Sequence, residues 1–405
     1  MQVYIGIDWS EQKHDVAFMN EKGGLIERIT IAHTWEGLLQ IDRMRQRIGV
    51  SEQDCLIGIE TSHNLLLDYL ISRDYSRIYI LPPSMVKDCR GRFGASKAHT
   101  DRSDAHLLAD IVRTDMQRLH CWQVDSLLTR QIRAQVNQVS FLTRQIVRTC
   151  NRLRSILVRY YPAALNVFSS LDSGISLAFI QAFPTPEMAA QLSYAEFQAF
   201  AKLQRYPNPK RLPACYARLQ QSYPKPSQAT TLIYQPQACF LAGLAAEIIQ
   251  AKNIALNELK VTFHDHPDYP IFNSLPGAGV FLAPALLAKF GDDRMRFPTP
   301  QSLQAVAGTC PVTLASGKRH VVAFRRACDQ EFRTIAQQWA MESLLVSSWA
   351  NSYFEMVLPH AHSRSHAYRS LANRWLSIAW KLWQDRVPYD EDLHLRQRAL
   401  RSLPR

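Results

Sequence analysis

An α/β domain at the N-terminus followed by a mainly helical remainder is the fold that this 405-residue sequence predicts. Three observations carry the prediction. Short apolar runs of strand character crowd the stretch before Pro82-Pro83, and an apolar seam spaced alternately by three and four then runs from Asp125 to Tyr161. Charge changes along the chain as well: residues 1–120 hold 15 Lys+Arg against 17 Asp+Glu, leaving 32 against 18 for residues 121–405. The near-neutral first part suits a chemistry module and the basic second part a polyanion grip.

Residues 3–8, 14–19 and 25–32 read as three strands, joined by the polar turn Trp9 to Lys13 and by Asn20-Glu21-Lys22-Gly23-Gly24. Helical spacing follows over Thr34 to Arg47, through Leu38, Leu39, Ile41, Met44 and Ile48. A strand at 55–60, a helix near 63–73 and a strand at 77–81 stopped by Pro82-Pro83 come next. A meander followed by alternating helix and strand describes a ribonuclease-H-like α/β domain. Its first and fourth strands can end side by side.

The seam at 128, 132, 136, 139, 142, 146, 150, 153 and 157 makes Asp125 to Tyr161 one long coiled-coil-like helix. Its other faces carry Arg130, Arg133, Arg144, Arg148, Arg152, Arg154 and Arg159, with no acid between Asp125 and Asp172. A solvated structural face mixes signs, so this stripe points to nucleic-acid phosphates, with a partner helix or an acidic tail as the other reading. Residues 162–230 read as an irregular, proline-bearing connector, with short helical patterns near 187–204 and 213–222. A second long helix, about Gln237 to Phe263, is expected to return antiparallel along the first. Leu275-Pro276-Gly277-Ala278-Gly279 leads into the helix Val280 to Phe290, ended by Gly291-Asp292-Asp293. Gly277 and Gly279 fit either a close backbone approach to a phosphate or an ordinary tight turn. Beyond them come a helix near 300–307, a loop from Gly308 to Lys318, a helix from Asp329 to Ser348 and a basic helix at 366–384.

Thr100-Asp101-Arg102-Ser103-Asp104-Ala105 sits where a loop turns helical, which puts two carboxylates three apart on one helix face. Alone, such acids read as helix caps. They gain meaning from Asp8 and Glu60, each ending a short apolar run of the parallel-strand type. Four converging carboxylates are what two divalent cations need in an in-line phosphoryl displacement. Ser316 is the other candidate, in Ala315-Ser316-Gly317-Lys318-Arg319. A serine beside two cations could attack a phosphodiester, but read locally Ser-Gly is far more often just a turn.

Composition bounds the rest. A content of 47% hydrophobic and 10% aromatic residues supports real cores, and length allows two or three domains. No apolar run reaches the roughly 18 residues of a bilayer span, and no secretory signal pattern opens the chain, so we expect a cytoplasmic, nucleoid-associated protein without a membrane partner. Eight scattered cysteines without a Cys-x-x-Cys pair suggest neither zinc nor a disulfide framework. His99, His264, His266, His360 and His362 lack a convincing ligand set and read as surface residues.

Gly6-Ile7-Asp8-Trp9-Ser10, Gly58-Ile59-Glu60-Thr61, Thr100 to Ala105, Leu275 to Gly279, Ala307-Gly308 and Ala315 to Lys318 together resemble, in this order, the DEDD-type insertion-sequence transposases of the IS-one-ten (IS110) family, relatives of the Piv DNA invertases. The resemblance covers nearly the whole chain apart from 162–230 and the tail. It implies a RuvC-like N-terminal domain at 1–120, a coiled-coil and connector region at 121–265, a transposase domain at 266–355 and a basic helical tail at 356–405. It assigns Mg2+ or Mn2+ to Asp8, Glu60, Asp101 and Asp104, and the covalent DNA nucleophile to Ser316. It also implies a bridge RNA that guides the enzyme to donor and target DNA, and an oligomer, dimer to tetramer, in which one subunit's acids serve another's serine. Arg144, Arg148, Arg152, Gly277, Gly279, Lys318 and Arg319 are the expected nucleic-acid contacts. Two departures from the family pattern stand out: His99-Thr100-Asp101 replaces Lys-Thr-Asp, and Ala327-Cys328-Asp329 replaces a Gly-Asn or Gly-Asp turn.

Two other classes use some of the same residues. A metal-only RuvC-like nuclease or junction resolvase would use the acids and water, leaving Ser316 dispensable. A non-catalytic nucleic-acid scaffold would need the basic helices alone. An actin-like ATPase would share Gly-Ile-Asp at a strand end, but the sequence lacks the second glycine-rich phosphate loop.

Overall fold

The computed structural model describes residues 1–60, 65–93, 101–317 and 319–402. The side chains of Arg92, Phe93, Asp101, Arg102, Leu314, Ser316, Arg319 and residues 397–402 lie outside that description. The chain divides into two compact units, Met1–Val124 and Asp125–Arg405.

In the first unit, β1 (Val3–Trp9), β2 (Lys13–Met19), β3 (Leu25–Ala32), β4 (Cys55–Ile59) and β5 (Ile78–Ile80) form a mixed sheet in the order β3-β2-β1-β4-β5. β1 runs antiparallel to β2 and parallel to β4, so the central strand is buried on both sides and needs apolar residues throughout. Helices α1 (Trp35–Ile48) and α2 (Leu65–Ser72) pack on the face of Val3, Ile5, Ile7, Val16 and Ile57. Thr34 accepts from the Gly37 backbone N–H to start α1, and left-handed Gly49 ends it. Nearly buried Asp42 ties α1 to α2 by accepting from Tyr69, Tyr75 and Arg73. Pro82-Pro83, read as a strand stop, also opens a helix: Pro83 is the first residue of α3 (Pro83–Cys89).

On the other face lies α4 (Asp101–Asp115), and two glycines decide how closely it packs. Gly6 and Gly58 pair across β1 and β4. A Cβ on Gly6 would sit 1.9 Å from the carbonyl oxygen of Ala105, and one on Gly58 would sit 2.8 Å from that of Leu108. The helix backbone therefore rests on the sheet backbone. Its C-terminal Arg113 lies against Gly23 in the β2–β3 turn, beside the starting end of β1, so its N-terminus meets the finishing ends of β1 and β4.

The second unit opens with α5 (Leu127–Tyr160), capped by Ser126. Its buried Ile132, Val136, Val139, Ile146, Cys150, Leu153 and Leu157 fall on the expected seam. α10 (Gln228–His264) returns antiparallel along it: Arg159 donates to Tyr234 at one end and Gln135 to Thr262 at the other. By length and composition alone α10 could cross a membrane. It packs one face on α5 and exposes Ile233, Phe240, Ile254 and Val261 on another.

The reading of 162–230 as an irregular connector is corrected, although the helical patterns expected near 187–204 and 213–222 are present as helices. Helices α6 (Gly174–Ala182), α7 (Pro186–Ala190), α8 (Tyr194–Leu203) and α9 (Leu212–Leu219) pack around Phe168, Phe179 and Phe197 against α5 and α10. Thr185-Pro186 and the capping box of Ser193 and Glu196 start helices, so prolines and polar residues that resemble loop are helix N-termini.

The last part holds α11 (Tyr269–Asn273), α12 (Gly279–Phe290), α13 (Pro300–Val306), α14 (Gln330–Ser343), α15 (Ser348–Val357), α16 (Arg364–Asp385) and α17 (Glu391–Ser402). Trp339, Trp375 and Trp383 centre its core, so α16 is a core helix as well as a basic one. The single helix expected from Asp329 to Ser348 breaks at Leu344, and Ser347 caps a new one. His266 corrects the surface reading of the histidines. It is buried, and with Thr129 and the Ser126 N–H it surrounds Asp292, whose carboxyl burial pushes up but these hydrogen bonds pull well below the usual range. His99 lies outside the described residues.

Candidate active site

The acids gather where the finishing ends of β1 and β4 meet the start of α4. Parallel pairing brings Ile7 opposite Ile59, so half-buried Asp8 and Glu60 each follow at the next position of neighbouring strands. Asp104 stands on the first turn of α4, and its charge reaches Glu60. Burial first, and Asp104 second, hold the Glu60 carboxyl above its usual range, with Arg90 acting the other way. Arg90 Nη2 lies 3.1 Å from Asp104 Oδ2. Asp101 begins α4, but its side chain lies outside the described residues. Among the described residues, no three His, Cys, Asp or Glu side chains stand together at metal-holding distance.

The structure adds two residues that sequence reasoning missed. Asp15 faces Asp8 across β1 and β2, is 3% exposed, and accepts from Thr30 Oγ1 at 2.6 Å. The hairpin register through Trp9 to Lys13 could have found it. Arg90 has no local signal, because only the tertiary path of α3 brings it to Asp104.

The expected loop from Gly308 to Lys318 is corrected to a turn and a hairpin, β6 (Val312–Ser316) and β7 (Arg319–Ala323). Two strands of five residues around the Ser316 to Arg319 turn make apolar runs too short to stand out from the loop around them. Ser316 ends β6, pairs in register with Arg319, and precedes left-handed Gly317. Lys318 lies outside the described residues. Gly308 needs its glycine: φ is +63°, and a Cβ would meet Cys328 Cβ at 2.7 Å. The departure at Ala327-Cys328-Asp329 is thus accommodated, since Asp329 caps α14 and takes an ion pair from Lys289 at 2.9 Å.

Gly277 is also left-handed, and its close approach is to the backbone of Glu342 and Ser343. Gly279 starts α12 with open space where a Cβ would point. On α5, Arg144, Arg148 and Arg152 are exposed, one turn apart, and have no carboxylate partner among the described residues.

Acids at adjoining strand ends, a basic long helix and an exposed hairpin are the arrangement expected of an enzyme that works on nucleic-acid phosphates. A DEDD-type IS110 transposase family matches residues 5–162, and the transposase family of IS116, IS110 and IS902 matches residues 269–355. The chain is 32% identical over 404 residues, 96% of each chain, to a mini-circle protein of Streptomyces coelicolor named as the transposase for IS117. It is 22% identical, over 95% of each chain, to the 44.8 kDa protein of insertion element IS116 from Streptomyces clavuligerus. The protein belongs to the IS110 family of insertion-sequence transposases, enzymes that act on DNA.

Proposed function

We propose that this transposase cuts and rejoins DNA strands through Ser316, with Asp8, Glu60, Asp101 and Asp104 as its acid group. The observation that carries the reading is the crowding of Glu60 by Asp104 at the finishing end of the central strands. A Glu60 carboxyl held above its usual range by burial and by the Asp104 charge, with the Arg90 guanidinium beside Asp104, suits a hard divalent cation. Mg2+ or Mn2+ held there by these acids would supply charge neutralisation at a reacting phosphate. The strand order β3-β2-β1-β4-β5, with α4 laid across β1 and β4, supports a RuvC-like domain.

In the reaction, Ser316 Oγ bonds to phosphorus as a P–O bond of the DNA breaks and the freed DNA hydroxyl leaves. The serine proton passes to a carboxylate of the acid group, for which a carboxyl held above its usual range is a suited acceptor, and the departing DNA oxygen takes a proton from water. Attack by a DNA hydroxyl on the serine phosphodiester reverses these steps and rejoins the strand, preserving bond energy that hydrolysis would lose. In the tetramer we infer, one subunit's acids serve another's serine. The exposed Ile233, Phe240, Ile254 and Val261 of α10, in two pairs seven residues apart on either side of exposed Glu247, support pairing with a second copy. The Arg144-Arg148-Arg152 stripe supports a polyanion contact with element DNA or a guide RNA.

Asp8→Asn and Asp104→Asn test the acid group: Mg2+-dependent cleavage should fall by orders of magnitude with folding intact. Wild-type rates in either variant would remove that carboxylate from the chemistry.

A further inference from the structure

Two arginines and a phenylalanine from three elements meet at the base of the Ser316 hairpin. Phe324 follows directly on β7 and is 46% exposed. The guanidinium of Arg333, from α14, lies 4.8 Å from its ring centroid, and that of Arg369, from α16, lies 4.6 Å from it. Three separate elements thus bring two cations to one aromatic ring. Neither arginine has a carboxylate at ion-pair distance among the described residues, although Asp329 and Glu331, which follow the hairpin in sequence, both pair with Lys289 of α12. Their proximity has a cost: burial, and then the charge of Arg333, make Arg369 easier to deprotonate than an ordinary arginine.

The two guanidiniums are also held in place. Arg333 donates to the carbonyl of Arg325, and its stem passes the Gly308 turn, where a Cβ would stand 3.6 Å from Arg333 Cδ. Ala367 and Leu371, flanking Arg369 on α16, are fully buried. Stacking on an aromatic face fixes a guanidinium plane while leaving its N–H edges free for an anion. Paired, preorganised N–H forks without an acid partner match a phosphodiester.

We propose that Arg333 and Arg369, stacked on Phe324, grip a backbone phosphate of the DNA strand that Ser316 attacks, close to the reacting phosphate. They are positioning residues, and the assignment rests on the reading of Ser316 as nucleophile. A phosphate held at the hairpin base fixes the strand's register against the hairpin tip, which sequence-independent attack by a serine requires.

The test uses DNA oligonucleotides carrying one neutral methylphosphonate at each position in turn near the cleaved bond. One or two positions should weaken binding to the wild-type protein at least tenfold. Arg333→Gln/Arg369→Gln should lose about one unit of log-log salt slope and become insensitive to methylphosphonate at those same positions. If the double variant keeps the wild-type slope and full sensitivity at every position, the grip does not exist. A variant that fails to fold is replaced by footprinting of the wild type with phenylglyoxal: DNA should protect Arg333 and Arg369. Protection by RNA but not DNA, or by neither, overturns the proposal. Covalent capture at Ser316 with unchanged phosphate sensitivity would sink the grip alone, whereas loss of capture in Ser316→Ala with an intact grip is the result both readings expect.

Discussion

The carboxylate of Asp104, on the first turn of α4, raises the hold of the Glu60 carboxyl on its proton across the end of the central sheet. Because burial and Asp104 lift the folded-state pKa of Glu60, its contribution to stability is full below the unfolded pKa and is lost as pH rises through the folded one. At neutral pH the ionised group costs stability. Glu60→Gln should therefore melt higher than wild type in EDTA at pH 7.5, with the gap closing toward pH 4. It should also gain less from added Mg2+. A melting temperature below wild type at pH 7.5 would show that Glu60 is not strained.

Gly6 carries the approach of α4 to β1, because a Cβ there meets the Ala105 carbonyl at 1.9 Å, and backbone on both sides leaves no side chain to yield. Gly6→Ala should cost about 1–3 kcal/mol or more in urea unfolding of the first unit. Gly49→Ala is the control for general glycine effects, since Gly49 has nothing within 4 Å and its cost comes from its left-handed conformation alone. Equal or smaller loss at Gly6 would mean that α4 can move without penalty.

On α5, replacing Arg144, Arg148 and Arg152 by Gln removes three exposed cations without touching the buried seam. The log-log salt slope for DNA or RNA binding should fall by about one unit per lost phosphate contact, with the thermal melt unchanged. An unchanged slope for both nucleic acids would assign the stripe to another partner.

Sequence patterning made the first unit legible because its strands are apolar runs bounded by turn residues, and Asp8 and Glu60 could be set side by side from element order alone. The seam of α5 was equally readable, since one period persists over the whole helix. What escaped depends on contacts distant in sequence. The packing of 162–230 into a core of its own shows only in the fold, the ribbon bearing Ser316 is too short to stand out, and Arg90 and Arg369 owe their placement to tertiary packing. Asp101, Ser316, Lys318 and Arg319 were named from motif and resemblance, and their side chains lie outside the described residues.

The central claim is that Ser316 forms the covalent bond to DNA. The most direct measurement traps that bond by denaturation on a nicked suicide substrate and maps it by peptide mass spectrometry. The account predicts a DNA adduct on the peptide containing Ser316, absent in Ser316→Ala although that variant folds and binds DNA as wild type does. An adduct that persists in Ser316→Ala, or Mg2+-dependent cleavage that proceeds there at the wild-type rate, would contradict it and leave a metal-only nuclease.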